Sequence, residues 1–310
     1  MKIKRLVIEN FKSIERIELQ EPNPFTVFVG PNGSGKSNIF EALEFVNIAR
    51  KYKGAVSLFG GKDNLQRRQN PFASFGFEVD LERVKYYSND FFTGISSLEY
   101  SVGKNYEQFI DGFSRLFIGN NILLKLALND NQRLSLPANN LEKVLKRILS
   151  NEKLKEEVFE WLDLFIPEFK AVEIDERDEL HWFEKFSPDY FVKDLISDGT
   201  YNTLSLLTAV YQSDDQPQFL CIEEPENGLH PQVAGELVDF FRVMCEERGH
   251  YIWLNTHSTA MASRVRPEEF AVVEKRDGAT TVRQFRKEDF HGMRVDEAWL
   301  TNALNGGLAW

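Results

Sequence analysis

Residues 30 to 37 read Gly30-Pro31-Asn32-Gly33-Ser34-Gly35-Lys36-Ser37. They match G-x-x-x-x-G-K-[ST] and stand between an apolar run, Phe25 to Val29, and a stretch of helical character, Asn38 to Lys51. Strand, glycine-rich turn and helix in that order form a phosphate cradle. The glycines fold the backbone into a nest of N–H donors, and the helix start adds positive potential. Lys36 is long enough to reach β- and γ-phosphates, and the Ser37 hydroxyl suits Mg²⁺. A chance match in a chain of this length is about a 1% event at average composition. The expected nucleotide contacts are therefore Gly30, Asn32, Gly33, Ser34, Gly35, Lys36, Ser37 and the adjoining Asn38. The cradle does not say what the bound energy drives.

The chain has 310 residues, 42% of them apolar, enough for one large α/β domain with an insertion or for two domains. It has no run of about 18 uncharged apolar residues, so no membrane partner is expected. Met1-Lys2-Ile3-Lys4-Arg5 leads into strand-like sequence instead of a leader's apolar core, and a cytoplasmic setting is expected. Two cysteines, Cys221 and Cys245, read as small buried side chains, not as a disulfide or a metal site. The net charge of −11 is uneven: residues 1–150 carry 21 Lys and Arg against 16 Asp and Glu, and residues 151–310 carry 16 against 32. That balance disfavours phosphate-backbone binding over the whole surface. The basic clusters Arg67-Arg68 and Lys143-Lys146-Arg147 read as solvated faces.

Patterning predicts strands at 2–9, 14–20, 25–29 and 75–81, a loop over 52–72, and further antiparallel strands in the aromatic-rich stretch to about 115. One or two amphipathic helices are expected over 140–165, with a break near Ser150-Asn151. Strand-like runs follow at 170–174 and 180–183. A helix around Leu204, Leu207 and Val210 precedes a buried strand at 219–222, a helix at 231–248 with Pro231 in its first turn and Gly249 past its end, and a strand at 251–255. This alternation is that of a parallel α/β sheet.

Phe219-Leu220-Cys221-Ile222-Glu223-Glu224 is an apolar strand ending in paired acids, 187 residues after Lys36. One carboxylate at such a tip can hold Mg²⁺ through water and the next can polarise an attacking water. Ile196-Ser197-Asp198-Gly199-Thr200 opens a helix upstream, and Asn255-Thr256-His257-Ser258 ends the following strand. With the run Glu223 to Pro231, the segment Asn10-Phe11-Lys12-Ser13 and the Gly-Lys-Ser-Asn38 ending of the loop, the chain resembles the ABC-class ATPases of the RecF, SMC and OLD-like branch. The resemblance is carried by about 1–50 and 190–275.

The resemblance implies an α/β fold, a P-loop NTPase of ABC-ATPase head type with an N-terminal antiparallel β portion and a helical inserted lobe. One head would span 1–310, with a P-loop core (1–81), an insertion (82–190), a signature and Walker B core (191–275) and a C-terminal extension (276–310). It further implies a homodimer that sandwiches two ATP molecules, with Ser197 and Gly199 of one copy meeting the γ-phosphate held by the other. Asn227 to His230 would cross the interface, Ser37 and Glu223 would hold Mg²⁺, and Glu224, His257 and Lys36 would be catalytic. Lys12 and Asn32 would lie near phosphates or ribose. The other histidines, His181, His230, His250 and His291, read as core residues. The Q-loop glutamine stays open among Gln66, Gln69 and Gln108.

About 160 residues separate the loop from the signature without sustained heptads, so the long coiled coil of SMC proteins is not expected. Only 53 residues follow His257, too few for the Toprim nuclease domain of OLD proteins. These features suggest a compact Mg²⁺-ATPase acting for a separately encoded effector, a nuclease, as stand-alone OLD-like ATPases of bacterial antiviral defence do. A RecF-like, ATP-gated DNA-binding protein of repair is the alternative, and a nucleotide-gated scaffold a third. The apolar tail 304–310 reads as packing on its own domain.

Overall fold

The computed structural model describes residues 2–52, 54–71, 73–81, 84–89, 111–118 and 131–304. Its strands are β1 (Ile3–Phe11), β2 (Ile14–Gln20), β3 (Phe25–Val29), β4 (Gly76–Leu81), β5 (Val84–Asn89), β6 (Phe113–Leu116), β7 (Phe169–Ile174), β8 (Leu180–Glu184), β9 (Phe191–Val192), β10 (Phe219–Glu223), β11 (Tyr251–Asn255), β12 (Phe270–Arg276) and β13 (Ala279–Gln284). β7, β8 and β9 form a small sheet, and the others join one large sheet in the order β5-β4-β1-β2-β13-β12-β3-β11-β10-β6.

The large sheet changes character along its width. β12, β3, β11, β10 and β6 run parallel, whereas β5, β4, β1 and β2 pair antiparallel. The halves join where β13, the hairpin partner of β12, meets β2 through the pair Thr280 and Ile14. Every residue of β3, β10 and β11 is buried. Phe25, Val27, Val29, Leu220, Ile222, Ile252 and Leu254 enter the core on one face, and Phe28, Phe219, Cys221, Tyr251 and Trp253 enter the core on the other. Cover on both faces is why these segments read as unbroken apolar runs.

α1 (Lys36–Lys51) covers the second face with Ile39, Phe40, Leu43 and Val46. The first face is covered by α2 (Leu141–Leu149), α3 (Glu152–Phe165), α4 (Asp198–Tyr211) and α5 (Pro231–Arg248). α2 presents Leu141, Val144, Leu145 and Ile148, and α3 presents Leu154, Val158, Leu162 and Phe165. Each such side chain contributes about 1.5–3 kcal/mol by leaving water. Asn151, between the two helices, accepts from the backbone N–H of Lys153 and Leu154 and so starts α3 where the sequence breaks.

Several expectations change. β6 runs parallel to β10, with Phe113 edge-on to Phe219, so this part of the aromatic-rich stretch extends the parallel half instead of the antiparallel one. The 52–72 segment contains two helical turns, Ala55–Leu58 and Lys62–Leu65. Arg67 is buried, because Glu15 at 3.1 Å and the Ser13 carbonyl at 3.4 Å occupy its donors. Lys146 and Arg147 likewise tie elements together, to Asp178 at 2.9 Å and Asp214 at 2.6 Å. Of the four histidines read as core, only His250 is fully buried; His181 is half-buried, and His230 and His291 are exposed. Cys221 and Cys245 are buried, and burial pushes both thiols up, which leaves them unreactive. Residues 90–110, with the candidate Gln108, and 305–310 of the tail lie outside the described residues.

Candidate active site

α1 begins at Lys36, two residues earlier than its apolar pattern suggests, so Lys36 and Ser37 stand in its first turn. The turn into it passes through Gly35 at φ 104°, and a Cβ there would lie 2.1 Å from Thr280 Oγ1. Thr280 Oγ1 donates to the Ser34 carbonyl at 2.8 Å and lies 2.6 Å from Ser13 Oγ, which accepts from Asn38 Nδ2 at 2.7 Å. Asn10-Phe11-Lys12-Ser13 and Asn38, separate in sequence, thus meet behind the loop and brace it against β13.

Lys36 is buried, and its Nζ donates to the carbonyls of Gly30 at 2.8 Å and Pro31 at 3.2 Å. Burial lowers its pKa, while Glu224, Glu223 and Glu226 pull the other way. Asn32 and Gly33 are exposed at the crest of the loop, and the buried Ser34 hydroxyl has no hydrogen-bond partner. A nest with an inward lysine and an unsatisfied hydroxyl fits a polyphosphate.

Glu223 is 3% exposed at the tip of β10. Its Oε2 accepts from Ser37 Oγ at 2.5 Å and from Asn255 Nδ2 at 3.3 Å. A hydroxyl and a carboxylate oxygen side by side are the hard donors that Mg²⁺ takes, so this pair fits that ion. Glu224 has φ 47°, a region that residues other than glycine seldom occupy and that clusters at functional sites. Its N–H is shared by the carbonyl and Oδ1 of Asn255, each at 3.1 Å, and its Oε2 accepts from Asn227 Nδ2 at 3.1 Å.

His257 is exposed at the end of β11, with its N–H donating to Glu226 Oε1 at 2.8 Å; the same oxygen accepts from Thr256 Oγ1 at 2.7 Å. Burial of part of the ring, then the charge of Lys36, lowers the imidazole pKa, and Glu224 and Glu226 oppose them. Lys36, Ser37, Glu223, Glu224 and His257 therefore share one field.

Ser197 and Gly199 are placed differently. Ser197 is exposed and caps α4, accepting from Thr200 N at 3.0 Å. Gly199 packs so tightly on the Gly228 carbonyl that a Cβ would lie 2.5 Å from it, and Asn202 Nδ2 donates to the Asn227 carbonyl at 2.8 Å. The signature turn and the Asn227-Gly228 turn form one rigid unit. His230 caps α5 through Nδ1, which accepts from Gln232 N at 3.2 Å. Gln66 donates to Asp63 and Gln69 accepts from Arg67, on a cavity of about 680 Å³ that Lys12 and Arg115 also line. Lys12 itself donates to Glu41 at 2.5 Å. Asn255 and Glu226 stood in the quoted motifs without a role, and Arg115, Glu44 and Thr280 carried no motif at all.

Residues 1–110 match the family described as an AAA ATPase domain, and residues 88–262 match the family described as "AAA domain, putative AbiEii toxin, Type IV TA system". The chain is 42% identical over 57 residues to the DNA replication and repair protein RecF of Pasteurella multocida, covering 18% of this chain and 16% of that protein. It is 37% identical over 87 residues to the structural maintenance of chromosomes protein 1 of Arabidopsis thaliana, covering 26% of this chain and 7% of that protein. The chain thus matches only a small part of these relatives' length. Among solved structures, an Smc head bound to the C-terminal winged-helix domain of ScpA superposes with a TM-score of 0.65 at 16% identity, covering 94% of this chain and 99% of that one. An Smc head from Pyrococcus furiosus bound to the C-terminal domain of ScpA superposes with 0.61 at 15%, covering 94% and 98%. The likeness to the Smc heads is one of fold, and the match over 88–262, more than half of the chain, places the chain in that AAA-domain family.

Proposed function

We propose that the chain hydrolyses Mg²⁺-bound ATP at a site shared between two copies of itself and uses the closure to drive a separately encoded effector, a nuclease, in bacterial antiviral defence. The observation that carries the catalytic part is the pair Glu223 and Glu224. One acid is turned toward Ser37, and the other is set at φ 47°. In this reading the loop amides and Lys36 bind the polyphosphate, and Glu224 takes a proton from the attacking water while the water oxygen bonds the γ-phosphorus, the bond from the γ-phosphorus to the β,γ-bridging oxygen breaks, and ADP and phosphate are released. His257 donates toward the γ-phosphate. Mg²⁺, when bound, offsets phosphate charge, and Ser37 and Glu223 would hold it.

The dimeric part is supported by Ser197: an exposed hydroxyl at a helix start, bonded within its own turn, suits an anion presented by another molecule. The family description, which names a toxin–antitoxin system, favours a role in a system of more than one component. Glu224→Gln should bind ATP, lose about 10²–10⁴-fold in turnover and accumulate as a dimer. Light scattering reads this, and an ATP-loaded variant that stays monomeric contradicts the shared site. The isolated wild-type chain should hydrolyse ATP without cutting DNA; cleavage with Mg²⁺ or Mn²⁺ would exclude a separate nuclease. The similarity to RecF favours the second reading, ATP-gated DNA binding in repair, which predicts DNA affinity that falls steeply with salt.

A further inference from the structure

The partner that engages Glu223 most fully lies on the neighbouring strand. Arg115 sits on β6 opposite Cys221 of β10, and its side chain is 6% exposed. Its Nε donates to Glu223 Oε1 at 2.7 Å, and one terminal nitrogen donates to the same oxygen. The other terminal nitrogen donates at 2.6 Å to Oε2 of Glu44, two turns along α1 from the loop lysine. The two oxygens of Glu223 are thereby divided. Oε1 belongs to Arg115, and Oε2 is left to Ser37 and Asn255.

That division matters because of the length of the arm. A glutamate carboxylate swings on one more torsion than an aspartate's, and fixing it costs more side-chain entropy. A two-point grip on Oε1 from a buried guanidinium, itself anchored by Glu44, removes that freedom without covering the oxygen that faces the loop. A buried ion pair, Arg115 with Glu223, and a partly buried third charge, Glu44, are costly to desolvate and are weak evidence for stability, so the arrangement asks for a role other than holding the fold.

We propose that Arg115 is a positioning residue for the metal site: it presets Glu223 so that Oε2 and Ser37 Oγ meet Mg²⁺ as a fixed pair. The proposal rests on the reading of Ser37 and Glu223 as metal oxygens. Arg115→Met combined with Glu44→Gln keeps the net charge of the triad, and Arg115→Lys keeps a cation but loses the two-point grip. The full chain is titrated with a fluorescent ADP analogue in EDTA and then with Mg²⁺, and the Mg²⁺ dependence of ATP turnover is measured beside it.

The double variant should bind the analogue in EDTA within about twofold of wild type and need about tenfold more Mg²⁺ for half-saturation, the loss usual for residues that orient metal ligands. Arg115→Lys should fall between. It carries the test alone if circular dichroism shows the double variant unfolded, and an unchanged Mg²⁺ requirement in a folded variant overturns the proposal. Tighter Mg²⁺ binding would also overturn it, by showing that Arg115 competes with the ion. So would an equal loss in EDTA, by showing that Arg115 touches the nucleotide. A wild-type chain indifferent to Mg²⁺ would refute the metal site itself, before any variant is compared.

Discussion

Asn255 holds two adjacent carboxylates in unlike settings: its amide nitrogen donates to Glu223, and its oxygen and carbonyl accept the N–H of Glu224. Asn255→Asp keeps the shape and replaces that donor by a second negative oxygen facing Glu223. It should cost about 1–3 kcal/mol, read from the urea midpoint, and lower turnover further by disturbing Glu224. Lys36→Ala removes the cation aimed into the loop and should weaken nucleotide binding by about tenfold or more, since a charge-assisted hydrogen bond contributes about 1.5–3 kcal/mol. Calorimetric titration measures it. Lys36, Ser37, Glu223 and Glu224 were legible as residues because their chemistry demands a fixed local spacing. Arg115 and Thr280 were not, since a buried arginine and a threonine on a strand look alike wherever they occur.

At the scale of elements, α4 begins on an exposed cap while its first turn is clamped to Asn227-Gly228. Ser197→Arg adds bulk at an exposed hydroxyl whose hydrogen bonds stay within its own turn, so nucleotide binding should stay within about twofold of wild type. ATP-dependent dimerisation and turnover should both disappear; normal hydrolysis by this variant would remove Ser197 from the site. Asn151 caps α3 in the same way, and Asn151→Ala should lower stability by about 1 kcal/mol as α3 loses its cap, seen as a lower urea midpoint. α5 and the buried strands matched their sequence patterns because Pro231, Gly249 and the apolar runs act locally. The parallel direction of β6 did not follow from any local pattern, since a four-residue strand takes its sense from the neighbour it joins.

Across the whole molecule, His250 is the buried histidine that links stability to pH. Burial, then the charge of Arg248, lowers its pKa from 6.5 to about 4, with Nδ1 accepting from the Gln218 N–H. Because the folded value lies below the unfolded one, this contribution is complete above pH 6.5 and is lost as pH falls toward 4. About 3 kcal/mol is at stake. Urea midpoints should fall across that window, and His250→Gln should flatten the fall; an unchanged slope would clear His250. The turn at 30–37, the acids at the tip of β10, the helix start at Ser197 and the place of His257 after β11 were determined by sequence, because a turn, a strand tip and a helix start are built from neighbours along the chain. Only the tertiary structure decided that Ser13, Asn38 and Thr280 brace the loop, that Asn255 spans the acids, and that Arg115 divides the oxygens of Glu223. Those contacts join residues 25 to 267 positions apart, and such pairings arise from the order of strands in the sheet, which no local spacing encodes.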